Sequence, residues 1–297
     1  MKDALGNRMK EYEAVTKYKL LRRGYTMIRI DGKAFHTYTK GLERPFDQGL
    51  VDDMDDTAKY LCKNIQGAVC AFVQSDEISI LVTDFEKVET SAWFDNNIQK
   101  MCSVSASMAT AKFNQLRVIR SLQKNASPSN YDDWKQVRVL NLAMFDSRVF
   151  QVPNKMECTN VLIWRQQDTV KNSISSVAQS MFSHKELNGK NSNQKQEMMF
   201  QKDGTNWNDF DPKLKRGRMI VKETYEKEPG VFRTQWVSVA PPTFTQEREY
   251  LISLIPDRDI ELTSPINFIP KDLTKEEIEN LIKSLKSQMK NTSNLLT

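Results

Sequence analysis

Four short apolar runs set the limits on how this chain can fold: "YTMIRI" at 25–30, "AVCAFV" at 68–73, "ISILV" at 78–82, and a strand-like run around Asp146 within "VLNLAMFDSRVFQVPN". Runs this short, rich in β-branched and aromatic residues and bounded by Gly, Pro, Asn or Asp, read as strands. The middle two are separated only by the polar "QSDE", which is a hairpin signature. A helical pattern from Gln48 to Ile65, ended by Gly67, lies between the first and second runs, and another from Trp93 to about Leu122 lies between the third and fourth. The small residues of "SVSASMATA" let a neighbour pack closely on the second of these helices. The order strand, helix, strand, strand, helix, strand predicts an α+β fold with a ferredoxin-like βαββαβ unit and helices on one face of its sheet.

Outside this unit the pattern is less regular. Residues 3 to 23 place Leu5, Met9, Tyr12, Val15 and Leu20 at helical spacing, and a helix ending before Gly24 is expected. "KNASPSNYDDW" reads as a loop, about Cys158 to Phe182 as a helix, and 184–204 as helical patches broken by Gly189 and Gly204. Residues 219–238 suit strands. A last helix is expected from about Leu273 to Lys290, capped by Asp272 or Thr274. No internal repeat is visible.

A chain of 297 residues, 39% hydrophobic and 27% charged, has ample material for a core, and its apolar runs are too short to cross a bilayer. The opening "MKDALGNRMKEYE" lacks the apolar stretch of a secretory signal. Cys62, Cys70, Cys102 and Cys158 are scattered without metal or disulfide spacing, and His36 and His184 do not resemble a zinc pair. A cytoplasmic, reducing setting is expected. The net charge of +5 is compatible with a polyanionic partner; between Lys185 and Arg218 eight basic residues outnumber five acids, with a cluster at "KLKRGR".

The chemistry concentrates where the strands end. In the expected fold Asp31 closes the first strand while Asp76 and Glu77 occupy the hairpin turn, so three acids converge. Carboxylates this close repel unless protonated or sharing a cation, and an all-oxygen set selects Mg²⁺. Two readings stay open on spacing alone: Asp31 with Gly32, and Ser75 with Asp76, are turns, or they are a metal site.

In combination, "RIDGKAFHTYTK", "QSDEISILV", "FDSRVF" and "WRQQDTVKNSI" resemble the tRNA-histidine guanylyltransferases and their relatives, the 3′ to 5′ RNA polymerases, from near the N-terminus to about residue 220. The resemblance implies a polymerase-like palm with two Mg²⁺ ions held by Asp31, the backbone carbonyl of Gly32, and Asp76, with Glu77 following in the same catalytic motif. It further implies ATP and GTP or other nucleoside triphosphates as substrates, tRNA as partner, and a homotetramer. Arg29, Lys33, Ala34, Phe35, His36 and Ser75 are implied as nucleotide or phosphate contacts, and Asp146, Arg148, Asn172, Lys215 and Arg216 as RNA contacts. The organisation implied is a palm at 1–155, a family-specific RNA- and nucleotide-binding part at 156–240, and a C-terminal extension at 241–297. Where tRNA-histidine enzymes carry "HINN", this chain has "VKNS" at 170–173. With "FSHKEL" and "KRG", that substitution resembles the bacterial and archaeal-type relatives, which repair 5′-ends in a template-dependent way. The expected activity is therefore addition of nucleotides to the 5′-end of truncated tRNA, with histidine-specific addition of G and non-catalytic RNA binding as the alternatives.

Overall fold

The structure is a computed structural model, and it describes residues 3–124 and 141–258. The loop expected at "KNASPSNYDDW" and the helix expected at 273–290 lie outside the described residues. In chain order the elements are α1 (Ala4–Ala14), β1 (Tyr25–Gly32), the one-turn α2 (Phe35–Tyr38), α3 (Gln48–Asn64), β2 (Ala68–Gln74), β3 (Glu77–Thr83) and α4 (Ile98–Lys124). There follow β4 (Phe145–Val152), α5 (Lys155–Met181), α6 (His184–Leu187), α7 (Ser192–Asp203), α8 (Pro212–Arg216), β5 (Arg218–Glu228), β6 (Val231–Val239) and α9 (Arg248–Leu254). The described residues up to Pro256 form one compact unit.

The strands make one antiparallel sheet in the order β4-β1-β3-β2-β5-β6. Its first four strands, with α3 and α4, have the connectivity and order of the βαββαβ arrangement. β5 joins the edge of β2 over Arg218–Ile220 only, and the rest of β5 pairs with β6 alone as a two-stranded ribbon.

Both faces of the sheet are covered, which corrects the expectation of helices on one face. Ile28, Ile30, Ala71, Val73, Ile78, Ile80 and Val82 point to the side of α3 and α4, where Met54, Leu61, Met101 and Phe113 meet them. The alternate residues Tyr25, Met27, Cys70, Phe72 and Leu81 face Cys158, Leu162 and Ile163 of α5, together with Phe244 and Leu251. A strand buried on both sides must be apolar at successive positions, and every residue of β3 is buried. Burial of a large apolar side chain contributes roughly 1.5–3 kcal/mol, so these two layers dominate the stabilisation.

The N-terminal helix also departs from expectation. α1 ends at Ala14, and Leu5, Met9, Tyr12 and Val15 are exposed instead of lining a buried face. The backbone of residues 18–21 finds its partners elsewhere: Ile98 N–H donates to the Tyr18 carbonyl, Leu20 N–H to the Asn96 carbonyl, and Leu21 N–H to the Gln151 side chain. Those bonds hold the segment extended and exclude a helix there.

Candidate active site

Cross-strand register assembles the site. Asp31 lies opposite Glu77 of β3 on one side and opposite Asp146 of β4 on the other, so three carboxylates share one face on three adjacent strands. Asp76 sits in the β2–β3 turn, and its carbonyl accepts a hydrogen bond of 3.1 Å from Gly32 N–H. Ser75, just before it, has φ +44°, the left-handed conformation that turns the chain sharply. Gly32 is required by packing: a Cβ there would lie 2.3 Å from the Phe35 ring.

The electrostatics mark these acids. Burial and the neighbouring Asp146 raise the pKa of Asp31 above the usual carboxylate value, while Arg148, Arg29 and Arg165 pull it back. Burial raises Asp76 as well; hydrogen bonds from the Ser75 side chain and its own backbone oppose this, and the charges of Asp31 and Glu77 add to it. Two half-sequestered carboxyls that repel each other, beside the Gly32 backbone, form an oxygen-only donor set.

Glu77 is held differently from the other two. Its Oε1 accepts from Arg165 Nε at 2.7 Å and its Oε2 from Arg165 Nη2 at 3.0 Å, and Ser79 Oγ adds a bond to Oε1. The expected convergence of three acids on a cation is thus corrected: Asp31 and Asp76 face one another electrostatically, while both oxygens of Glu77 are engaged by a buried arginine. Among the described residues, no group of three or more His, Cys, Asp and Glu side chains is positioned to hold a metal ion. Arg165 is the residue that sequence reasoning passed over. Its signal was present, because Cys158, Leu162, Arg165 and Thr169 are all buried at helical spacing on α5, and an inward arginine demands a carboxylate partner.

The other residues implied by the resemblance divide into those at the site and those in the core. Arg29 and Arg148 lie directly opposite one another on β1 and β4, on the same face as Asp31; Arg148 Nη2 is 3.3 Å from an Asp146 oxygen. Lys33 and Ala34 are exposed in the turn after β1, where Ala34 takes φ +54° and Lys33 N–H bonds the Met144 carbonyl. Phe35 is corrected from a base contact to a core residue. It is 5% exposed, with its ring centroid 4.9 Å from that of Tyr38, 5.7 Å from Phe113 and 5.1 Å from Phe145.

A cleft of about 560 Å³ opens beside the acids, between the loop before α3 and the polar face of α5. Asp31, Ser75 and Asp76 line it, with His36, Asn172 and Arg44. Asp47 fixes this loop by capping α3, its Oδ1 accepting from Leu50 N–H at 2.7 Å. The basic side chains of "KLKRGR" each have a partner within the chain. Arg218 is buried, with Nε 2.8 Å from an Asp55 oxygen, and Ser238 Oγ holds the other oxygen of Asp55 at 2.6 Å. Lys213 donates to the Ser238 carbonyl, Lys215 to the Asn208 carbonyl, and Arg216 to Thr243 Oγ1. Burial and the adjacent Arg216 lower the pKa of Lys215.

Comparison with known proteins places this geometry. The family model described as "Thg1: tRNAHis guanylyltransferase" matches residues 6–153, which span β1 to β4 and the acids at their ends. A solved bacterial tRNA(His) guanylyltransferase (Thg1)-like protein in complex with ATP is 43% identical, covers 85% of this chain and 99% of its own, and superposes with a TM-score of 0.73. The chain belongs to the Thg1 family. A bacterial Thg1-like structure in complex with GTP is 42% identical over the same shares, with a TM-score of 0.66. The tRNA(His) guanylyltransferase of Schizosaccharomyces pombe is 27% identical over 233 residues, 74% of this chain and 81% of that protein. The Thg1 family model stops just past β4, whereas the likeness to the bacterial Thg1-like structures covers more of the chain.

Proposed function

We propose that this protein is a template-dependent 3′ to 5′ nucleotidyltransferase that restores the 5′-end of truncated tRNA. The observation that carries the reading is the pair Asp31 and Asp76, set at strand ends beside the cleft in a chain 43% identical to a Thg1-like protein solved with ATP. In this reading β1 to β4 serve as a polymerase-type palm. The RNA 5′-monophosphate first attacks the α-phosphorus of ATP, releasing pyrophosphate and leaving AMP on the 5′-end, or the RNA arrives as a triphosphate. The 3′-hydroxyl of an incoming nucleotide then attacks the activated phosphorus, and the pyrophosphate or AMP on the RNA leaves.

Asp31, Asp76 and the Gly32 carbonyl fit Mg²⁺, which takes few protein carboxylates and completes its shell from substrate phosphates and water. Bound there, Mg²⁺ would supply Lewis-acid stabilisation of the charge on the transferring phosphate. The chain's own residues do the rest. Arg29 and Arg148 supply positive charge one strand position pair from Asp31, suited to phosphate oxygens. Asn172 and His36, which both line the cleft, offer polar contacts. Arg165 keeps Glu77 from crowding Asp31.

The choice of repair over histidine-specific addition is supported by Val170 standing where the tRNA-histidine enzymes carry the first residue of "HINN". Selection then falls to base pairing, which holds the incoming 3′-hydroxyl beside the activated phosphate. The test compares kcat/KM for Watson–Crick addition to 5′-truncated tRNAs of several identities with that for untemplated G addition to full-length tRNA-histidine. Higher efficiency on the truncated set supports repair. A strong preference for tRNA-histidine that disappears on swapping its anticodon overturns it in favour of the second reading, which the name of the yeast relative favours.

A further inference from the structure

Beside the acids, on the same face of the sheet, stands an aromatic side chain that metal binding and nucleotide activation leave without a role. Trp164 on α5 is 46% exposed, although the sheet-facing side of that helix is one wall of the second core layer. Two guanidinium groups lie over its ring: Arg165 with its central carbon 4.4 Å from the centroid, and Arg29 at 5.7 Å. Arg165 is anchored to Glu77. Among the described residues Arg29 has no such anchor, and its Nε is buried without a hydrogen-bond partner there. Arg29 also faces Arg148 directly across the β1–β4 ladder. Like charges placed opposite one another on a sheet destabilise it, and a buried unsatisfied donor costs free energy. An anionic ligand beside the two guanidinium groups answers the first of these costs.

We infer that Trp164 with Arg29 forms a stacking platform for the terminal base of an RNA strand whose 5′-phosphate lies at Asp31 and Asp76. The placement suits that occupant. Arg29 precedes Asp31 by two residues on the same side of β1, which separates the two by about 7 Å. A base stacked on the indole lies beside Arg29, which faces Arg148 across the ladder and stands two positions from Asp31 on the same strand face. Aromatic rings and arginine planes are the surfaces on which unpaired or terminal bases stack, and they do so without reading base identity. Sequence-tolerant holding is what an enzyme that fills different 5′-ends requires. The inference rests on the proposed function for the identity of the strand, but not for the existence of the platform.

The test uses the full chain and an RNA duplex with a recessed 5′-end whose first nucleotide is 2-aminopurine, whose emission falls on stacking. Without ATP, the wild-type protein should quench this probe on binding. Trp164→Phe should retain most of the quench, and Trp164→Leu should lose it. KM for the RNA should rise about 5- to 150-fold in Trp164→Leu, the range expected for one lost base stack, while KM for ATP and the thermal midpoint stay as in the wild type. Equal quenching and equal RNA KM in Trp164→Leu would overturn the platform. So would a loss confined to KM for ATP, which would make the occupant a mononucleotide. Wild-type protein that quenches the probe through Trp164 but never extends any 5′-end keeps the platform and overturns the proposed function. Extension with an RNA KM indifferent to Trp164 does the reverse.

Discussion

Replacing Arg165 with Met should be among the most damaging single changes in the described part of the chain, and its cost follows from geometry. Arg165 is 6% exposed and Glu77 is 8% exposed, joined by bonds of 2.7 and 3.0 Å. A charge-assisted hydrogen bond contributes about 1.5–3 kcal/mol, so the two bracket about 3–6 kcal/mol. Removing one member of a buried pair costs about 3–5 kcal/mol, because the other charge remains without water or partner. The two figures agree, and we expect Arg165→Met to lower unfolding free energy by about 3–5 kcal/mol. The double variant Arg165→Met with Glu77→Met removes both charges and replaces them with apolar volume, a change that is often neutral or stabilising. Urea unfolding followed by far-ultraviolet circular dichroism, with linear extrapolation, gives all four corners of the cycle. A loss below about 1 kcal/mol in the single variant, or a double variant whose loss equals the sum of the singles, would show that the pair does not lock Glu77 in place.

Other outcomes follow from the same structure. Asp31→Ala and Asp76→Ala should each abolish nucleotidyl transfer while leaving the far-ultraviolet spectrum unchanged, and near-wild-type turnover by both with Mg²⁺ would remove them from the chemistry. Because the Asp31 pKa is raised in the folded protein, the native state holds that proton more tightly than the unfolded chain. Its contribution therefore becomes less favourable as pH rises from the normal carboxylate range through the raised value, so in EDTA Asp31→Asn should melt above the wild type at neutral pH and converge with it in acid. Phe35→Ala should cost about 3–5 kcal/mol of stability with less than twofold change in nucleotide KM, as a core ring and not a base contact would; the opposite pattern would restore the base-contact role.

The sequence made some of this legible for physical reasons. Strands β1 to β4 are dense in β-branched and aromatic residues and are punctuated by Gly, Pro or charged turns, so their existence and order could be read directly. Asp31 and Asp76 were visible as acids at the ends of apolar strands, where spacing alone left a turn and a metal site equally open and the resemblance favoured the second. The covering of the second face was harder to see. Its sign was the unbroken apolar character of "ISILV", which a one-sided sheet does not need, but helical spacing in α5 does not say which face of which sheet it will meet. α1 misled because periodicity at Leu5, Met9 and Tyr12 indicates a helix, not a partner for it. "KLKRGR" read as a basic cluster whose Lys215 and Arg216 the resemblance implied as RNA contacts. Nothing local reveals that Asp55, more than 160 residues earlier, waits for Arg218.

The alternation along β1 has an arithmetic consequence. Odd-numbered positions Tyr25, Met27, Arg29 and Asp31 look toward α5, and even-numbered Ile28 and Ile30 look toward α3 and α4. The acid lining the cleft and the core thus obey one counting rule. Lengthening the strand by a single residue before Asp31 would turn the carboxylate into the aromatic cluster around Phe113 and push an isoleucine toward the cleft, a double fault from one codon. Lengthening it by two would keep every side chain on its own face and merely carry the acid about 7 Å farther along. Insertions and deletions in this strand are therefore tolerable only in pairs, and the distance from the acid to the edge of the sheet can change only in steps of that size.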